Sequence, residues 1–186
     1  MRFLLALALL PTIGAAPPAY RYQLDSARSA IGARVTVLGL AHKSAQFPKM
    51  SGGIVLSPAR LGAVNLDVAV DARALSTKDK TVENQLKSPE FLDVARHPTV
   101  SFSGERMVMT GPATARVDGQ LTARGVTRPA SLQVTFAQPP AELTGSEPVR
   151  ISASTTIDRR QFGMNGYSMV VGKNVTITIN ATMVPN

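Results

Sequence analysis

The chain has 186 residues, a formal charge of +8, no cysteine, no tryptophan and only 5% aromatic residues. These values exclude a disulfide scaffold, a thiolate metal site and a thiol nucleophile. They also weigh against nucleic acid, because the Lys and Arg residues are scattered rather than clustered with aromatics.

The N-terminal segment reads as an export signal. Met1-Arg2 is a positive start, Phe3 to Leu10 is unbroken apolar, and Pro11 to Ala16 ends in small residues. That three-part order describes a secretory signal peptide, and the apolar run is shorter than the about 20 residues that span a bilayer. Cleavage is expected after Ala16. Pro17 disfavours that bond, so a later one, up to residue 19, stays open. The mature domain is then 17–186, bacterial, and periplasmic or secreted.

Beyond it the dominant signal is alternation of apolar and polar residues with period two, the mark of a strand with one buried face. In chain order, Ile31, Ala33, Val35 and Val37 alternate with Gly32, Arg34 and Thr36. Ile54 and Leu56 make a weaker pair. Val64, Leu66, Val68 and Val70 share one face opposite Asn65, Asp67 and Asp71. Segment 76–94 departs from the pattern and predicts one or two short helices. Ser76 with Asp79 resembles a capping box, Val82 and Leu86 are four apart, and Ser88-Pro89-Glu90 reads as a second helix start.

Alternation then resumes with Val100 and Phe102, with Val117, Gly119 and Leu121, and with Leu132, Val134 and Phe136. Val149, Ile151, Ala153, Thr155 and Ile157 form one further face, and Val175, Ile177, Ile179 and Ala181 another. Many such strands, punctuated by Gly and Pro turns, predict an antiparallel sandwich or barrel. Among barrels, full closure removes the sheet edges, and the helical insert is placed to cover one open end.

Several ordered stretches, from about Tyr20 to Val184, resemble the YceI-like family of lipid-binding, lipocalin-like barrel proteins. They are Asp25 to Ile31; Leu38-Gly39 with Phe47 and Ser51-Gly52; Leu86 to Asp93 with His97 to Phe102; Asp118 to Pro129; and Ile157 to Met164 with Val175-Thr176-Ile177. The chain departs from the family pattern at Val37, where His is common. It departs again at Val82-Glu83-Asn84-Gln85-Leu86, commonly Arg-Asp-x-His-Leu, and at Leu92 of Phe91-Leu92-Asp93. The resemblance implies an all-β fold, an extended eight-stranded antiparallel barrel with a long apolar interior. It also implies a polyisoprenoid ligand, such as a prenyl quinone or prenyl phosphate, and export to the periplasm.

The expected function is binding, transport or storage of a long isoprenoid or acyl chain, with no cofactor beyond the lipid. Transient contact with a membrane or a membrane redox protein goes with it. Candidate ligand-contacting residues of the interior or mouth are Phe47, Ile54, Leu86, Phe91, Val100, Phe102, Phe136, Ile157, Phe162, Met164, Tyr167 and Met169. Arg159 and Arg160 are the head-group candidates, since a guanidinium fork suits phosphate. If both lie on a strand, at most one of them faces the ligand.

No catalytic set can be assembled. The two histidines, His42 and His97, belong to no metal-ligand or nucleophile pattern, and HExxH, GxSxG and Gly-rich phosphate loops do not occur. Two alternatives stay open: an interaction module with a fully packed barrel and a functional basic surface, and, further off, a hydrolase or isomerase acting on a lipid.

Overall fold

The computed structural model describes residues 17–186, so the segment read as an export signal lies outside the described residues. Ten strands form one antiparallel sheet: β1 (Tyr20–Leu24), β2 (Ala30–Val37), β3 (Ala41–Gln46), β4 (Met50–Leu56), β5 (Ala63–Asp71), β6 (Thr99–Met109), β7 (Thr114–Ala123), β8 (Val126–Phe136), β9 (Val149–Asp158) and β10 (Val171–Pro185). The pairing runs β1-β4-β5-β6-β7-β8-β9-β10 and returns from β10 to β1, which closes the ring.

The ten strands make eight staves. β1 and β2 lie end to end along β10, which pairs with β2 through Val171–Asn180 and with β1 through Met183–Pro185. A 3-10 turn at Ser26–Arg28 separates them. It is pinned to β10 where the Asp25 amide donates to the Thr182 carbonyl at 2.9 Å and the Thr182 amide donates to Ser29 Oγ at 3.0 Å. β3 and β4 likewise follow end to end, with β3 on β2 and β4 on β1. The expected eight-stranded antiparallel barrel is therefore the fold, with two staves broken near their middles.

β4 is paired with β5, but β3 has no strand on its outer side. Residues 72–98, between β5 and β6, fill that gap. Gln46 and Ser76 exchange backbone hydrogen bonds, each 2.9 Å. The insert holds one α-helix, α1 (Lys80–Lys87). Its cap is Asp79, whose carboxylate accepts from the Thr81 and Val82 amides. Ser76 does not cap it, because the Ser76 backbone is committed to the bridge with Gln46. The second helix start does not develop either. The Phe91 and Asp93 amides both donate to the Ser88 carbonyl, and Asp93 turns to a positive φ of 49°, which closes a turn instead of propagating a helix.

The inward faces follow the alternation. Across the half of the barrel away from α1 they are buried and in mutual contact: Tyr22 and Leu24 of β1, Ile54 and Leu56 of β4, Val64 and Leu66 of β5, Met107, Val117, Leu132, Val134, Phe136 and Val149, then Ala181 and Met183 of β10. This half is a packed core. Between it and the other half, β6 and β7 place Gly104 opposite Gly119. A Cβ on Gly119 would lie 2.8 Å from Phe102 Cζ, and one on Gly104 3.0 Å from Phe102 Cε1. The two glycines leave the room in which the Phe102 ring lies.

Candidate functional site: an apolar cavity under the helical insert

Toward the α1 end the same strands continue, and their inward side chains leave open space between them. They enclose a cavity of 380 Å³, within the size of pockets that hold small molecules. Each stave passes from core to cavity wall along its length. β5 moves from Val64 and Leu66 to Val68 and Val70, β7 from Val117 to Leu121 and Ala123, and β10 from Met183 to Ile179, Ile177 and Val175. β2 supplies Ile31, Ala33, Val35 and Val37, with Ala45 from β3. The insert closes the wall with Leu75, Val82, Gln85, Leu86, Phe91 and Leu92.

The candidates that the structure brings to this wall are Phe47, Leu86, Phe91, Val100, Phe102, Ile157, Met164, Tyr167 and Arg159. The others lie elsewhere. Ile54 and Phe136 are buried in the packed half, where side chains fill the interior. Phe162 is 2% exposed and lines a separate polar cleft with Asp118, Ser131 and Gln161. That cleft exists because β8 and β9 pair only through Gln133–Phe136 and Ile151–Ser154. Met169 is 98% exposed at a loop tip rather than folded over the cavity.

The two arginines separate by environment. Both stand on a 3-10 helix, Arg159–Phe162, not on a strand, so strand alternation is not what divides them. Arg159 is 2% exposed and lines the cavity. Its Nε donates to the Gly172 carbonyl at 2.9 Å, its Nη2 to Val171 at 2.9 Å, and its Nη1 to Met164. Its guanidinium lies 5.6 Å from the centre of the Phe91 ring, within cation–π range. Burial, and then the neighbouring charge of Arg160, lower its pKa from the ordinary value. Arg160 points outward and forms a forked pair with Asp158, with Nη2 2.8 Å from Oδ2. Hydrogen bonds from Arg160 pull the Asp158 carboxyl down to about 2.

Arg159 thereby fastens loop 163–171 across the mouth. The loop leaves the 3-10 helix through Gly163 in the left-handed conformation, φ 74°, where glycine carries no Cβ penalty. It is tied to the insert by the Gly166 amide, which donates to the Glu90 carbonyl at 3.2 Å, and by Tyr167 stacked on Phe91 with ring centres 6.2 Å apart.

Most of the wall was already visible as the inward faces of alternating strands. What alternation did not reveal is which half of each face lines a void. Of the departures from the family pattern noted above, Val37, Val82, Gln85 and Leu92 fall on this wall, and Glu83 does not. No group of three or more metal-ligating side chains gathers among the described residues. Nor is any described helix long and apolar enough to cross a membrane.

Comparison with known proteins gives one consistent result. The family model described as "YceI-like domain" matches residues 22–183. A UPF0312 protein of Vibrio cholerae is 26% identical over 160 residues, covering 85% of this chain and 85% of its own. The crystal structure of Burkholderia cenocepacia BcnA superposes with a TM-score of 0.76 at 20% identity, over 86% of this chain and 98% of that one. A structure described as a polyisoprenoid binding domain from Saccharophagus degradans, implicated in plant cell wall breakdown, gives a TM-score of 0.67 at 12% identity, over 89% and 98%. At these identities the structural likeness establishes the shared barrel.

Proposed function

The chain belongs to the YceI-like domain family, and from that premise we propose that it is a non-catalytic carrier or store for a long apolar lipid, a polyisoprenoid, acting after export to the periplasm. The observation that carries the proposal is the division of the barrel interior. One half is packed, and the other is a cavity whose wall is apolar except for Arg34, Lys43, Ser44, Gln85, Ser101 and Arg159. A prenyl chain has no polar atoms along its length and leaves no partner unsatisfied in such a space. Each buried CH₂-sized group favours binding by about 0.8 kcal/mol before ordering costs. The relative described as a polyisoprenoid binding domain shares the barrel and supports this ligand class.

The two free N–H directions of the Arg159 guanidinium, after its three carbonyl bonds, give the cavity a place for a carbonyl or phosphate oxygen of the head. The alternative of an interaction module assumed a fully packed barrel, and the cavity removes that premise. Native mass spectrometry of the purified protein, followed by extraction of bound lipid, tests the proposal. A stoichiometric adduct with prenyl mass spacing is expected. A bare protein mass that takes up no added prenyl chain contradicts it.

A further inference from the structure

The large apolar side chains exposed among the described residues are Leu38, Leu40, Tyr167, Met169 and Val170. They are distant in sequence but belong to two neighbouring tips. Leu38 and Leu40 form the β2–β3 turn, while Tyr167, Met169 and Val170 form the loop held by Arg159. The Leu38 amide donates to the Val170 carbonyl at 2.8 Å and joins the tips. Leu38 is 70%, Leu40 90% and Met169 98% exposed. Leu38 and Tyr167 are also held at positive φ, 52° and 51°, a costly conformation for bulky residues. An apolar patch of this kind marks an interaction site.

Charge indicates what covers it. No Asp or Glu occurs between Asp25 and Asp67, or anywhere after Asp158, while those two stretches carry Arg34, Lys43, Lys173 and other cations. Arg34 lies opposite Thr176 on β10, three residues beyond Lys173. Of the carboxylates that approach from other elements, Asp79 pairs with Lys43 at 3.6 Å and Asp158 with Arg160, while Glu90 lies beside Gly166 outside any ion pair among the described residues and is a single negative charge against several cations. The Lys43 pair is solvent-exposed, a weak arrangement from which an anion can draw the lysine. Val37, Tyr167 and Val170 also line the cavity, so the patch runs into its rim.

We propose that these two tips are a membrane-docking surface. Leu38, Leu40 and Met169 insert at the level of the headgroups of an anionic phospholipid bilayer, while Arg34, Lys43 and Lys173 meet the lipid phosphates. Apolar insertion combined with cationic attraction is the general basis of reversible interfacial binding. Docking in this pose sets the cavity mouth against the bilayer, so that a long chain passes between membrane and barrel without crossing water.

Flotation with vesicles tests this, using phosphatidylcholine alone and phosphatidylcholine mixed with phosphatidylglycerol in equal parts. The protein is expected to float with the mixed vesicles, less at high salt, and not with the neutral ones. The double variant L40S/M169S is expected to bind the mixed vesicles roughly tenfold more weakly or less. Its thermal midpoint and its uptake of prenyl chains from detergent should be unchanged, since neither residue lines the cavity. Failure of the wild type to float, equal binding by the variant, or equal binding to neutral vesicles overturns the proposal. Concentration-dependent dimerisation that L40S/M169S abolishes, without flotation, assigns the tips to a second copy of the chain instead. Because prenyl uptake is read separately, failure of docking is distinct from failure of the carrier function.

Discussion

Two adjacent arginines show how much of a side chain's role is set by the backbone that carries it. Arg159 and Arg160 are chemically identical, and the sequence offers both as head-group ligands. The 3-10 turn after β9 sends the first into the barrel and leaves the second paired with Asp158 on the surface. Replacing Arg159 with Met removes its hydrogen bonds to the Met164, Val171 and Gly172 carbonyls and the contact with Phe91. R159M is expected to lower the unfolding free energy by about 3 kcal/mol, measured by urea denaturation, and to raise amide exchange across residues 163–171. R160A is expected to leave both readings as in the wild type, because exposed pairs contribute little. Period-two reasoning expected at most one of them to face the interior on the premise of a strand, and the 3-10 turn replaces that premise. It could not foresee the 3-10 turn, because Arg-Arg-Gln-Phe carries no glycine or proline to mark one.

At the scale of elements, the helical insert closes the wall that β3 leaves open. Its helix was legible from Val82 and Leu86, four residues apart. The start was misplaced because Ser76 and Asp79 are both good caps, and only the tertiary bridge of Ser76 to Gln46 decides between them. α1 is held by Glu83, whose carboxylate accepts from Lys80 at 2.6 Å and from Lys87 at 2.9 Å. These bonds pull the Glu83 carboxyl from 4.5 down to about 2. A carboxyl with a depressed folded-state pKa stabilises the fold fully above its unfolded value and loses that contribution as pH falls through the folded value. Glu83 therefore stabilises the insert above about pH 4.5 and ceases to do so near pH 2. E83Q is expected to melt lower than the wild type at neutral pH, with the gap closing as pH falls through that window. Thermal scans across pH check this. An equal gap at every pH contradicts it.

For the whole molecule, the alternating strands displayed an antiparallel sandwich or barrel, and the family resemblance supplied the barrel and the number eight. The breaks within two staves, at Ser26–Arg28 and between Gln46 and Met50, were not read from the sequence, although the inward phase flips across each, from Tyr22 and Leu24 to Ile31 and Ala33 and from Ala45 to Ile54 and Leu56. Nor was the division of the interior into core and cavity. Ile54 and Phe136 have the same apolar, alternating context as Val100 and Phe102, and only the position of the insert distinguishes the two ends. This division separates stability from binding. F136A removes a ring from the packed half and is expected to destabilise by about 3–5 kcal/mol with prenyl uptake retained in the folded fraction. A33F places a ring in the cavity and is expected to abolish uptake while the barrel stays folded. Circular dichroism beside a binding titration reads both.

The most direct test of the cavity as a lipid site is a series of prenyl alcohols of increasing length titrated into delipidated protein. Affinity is expected to rise with each added unit, by about 0.8 kcal/mol per buried CH₂-sized group, and to level off once the cavity is full. Affinity that does not change with chain length would show that the cavity is not where the chain lies.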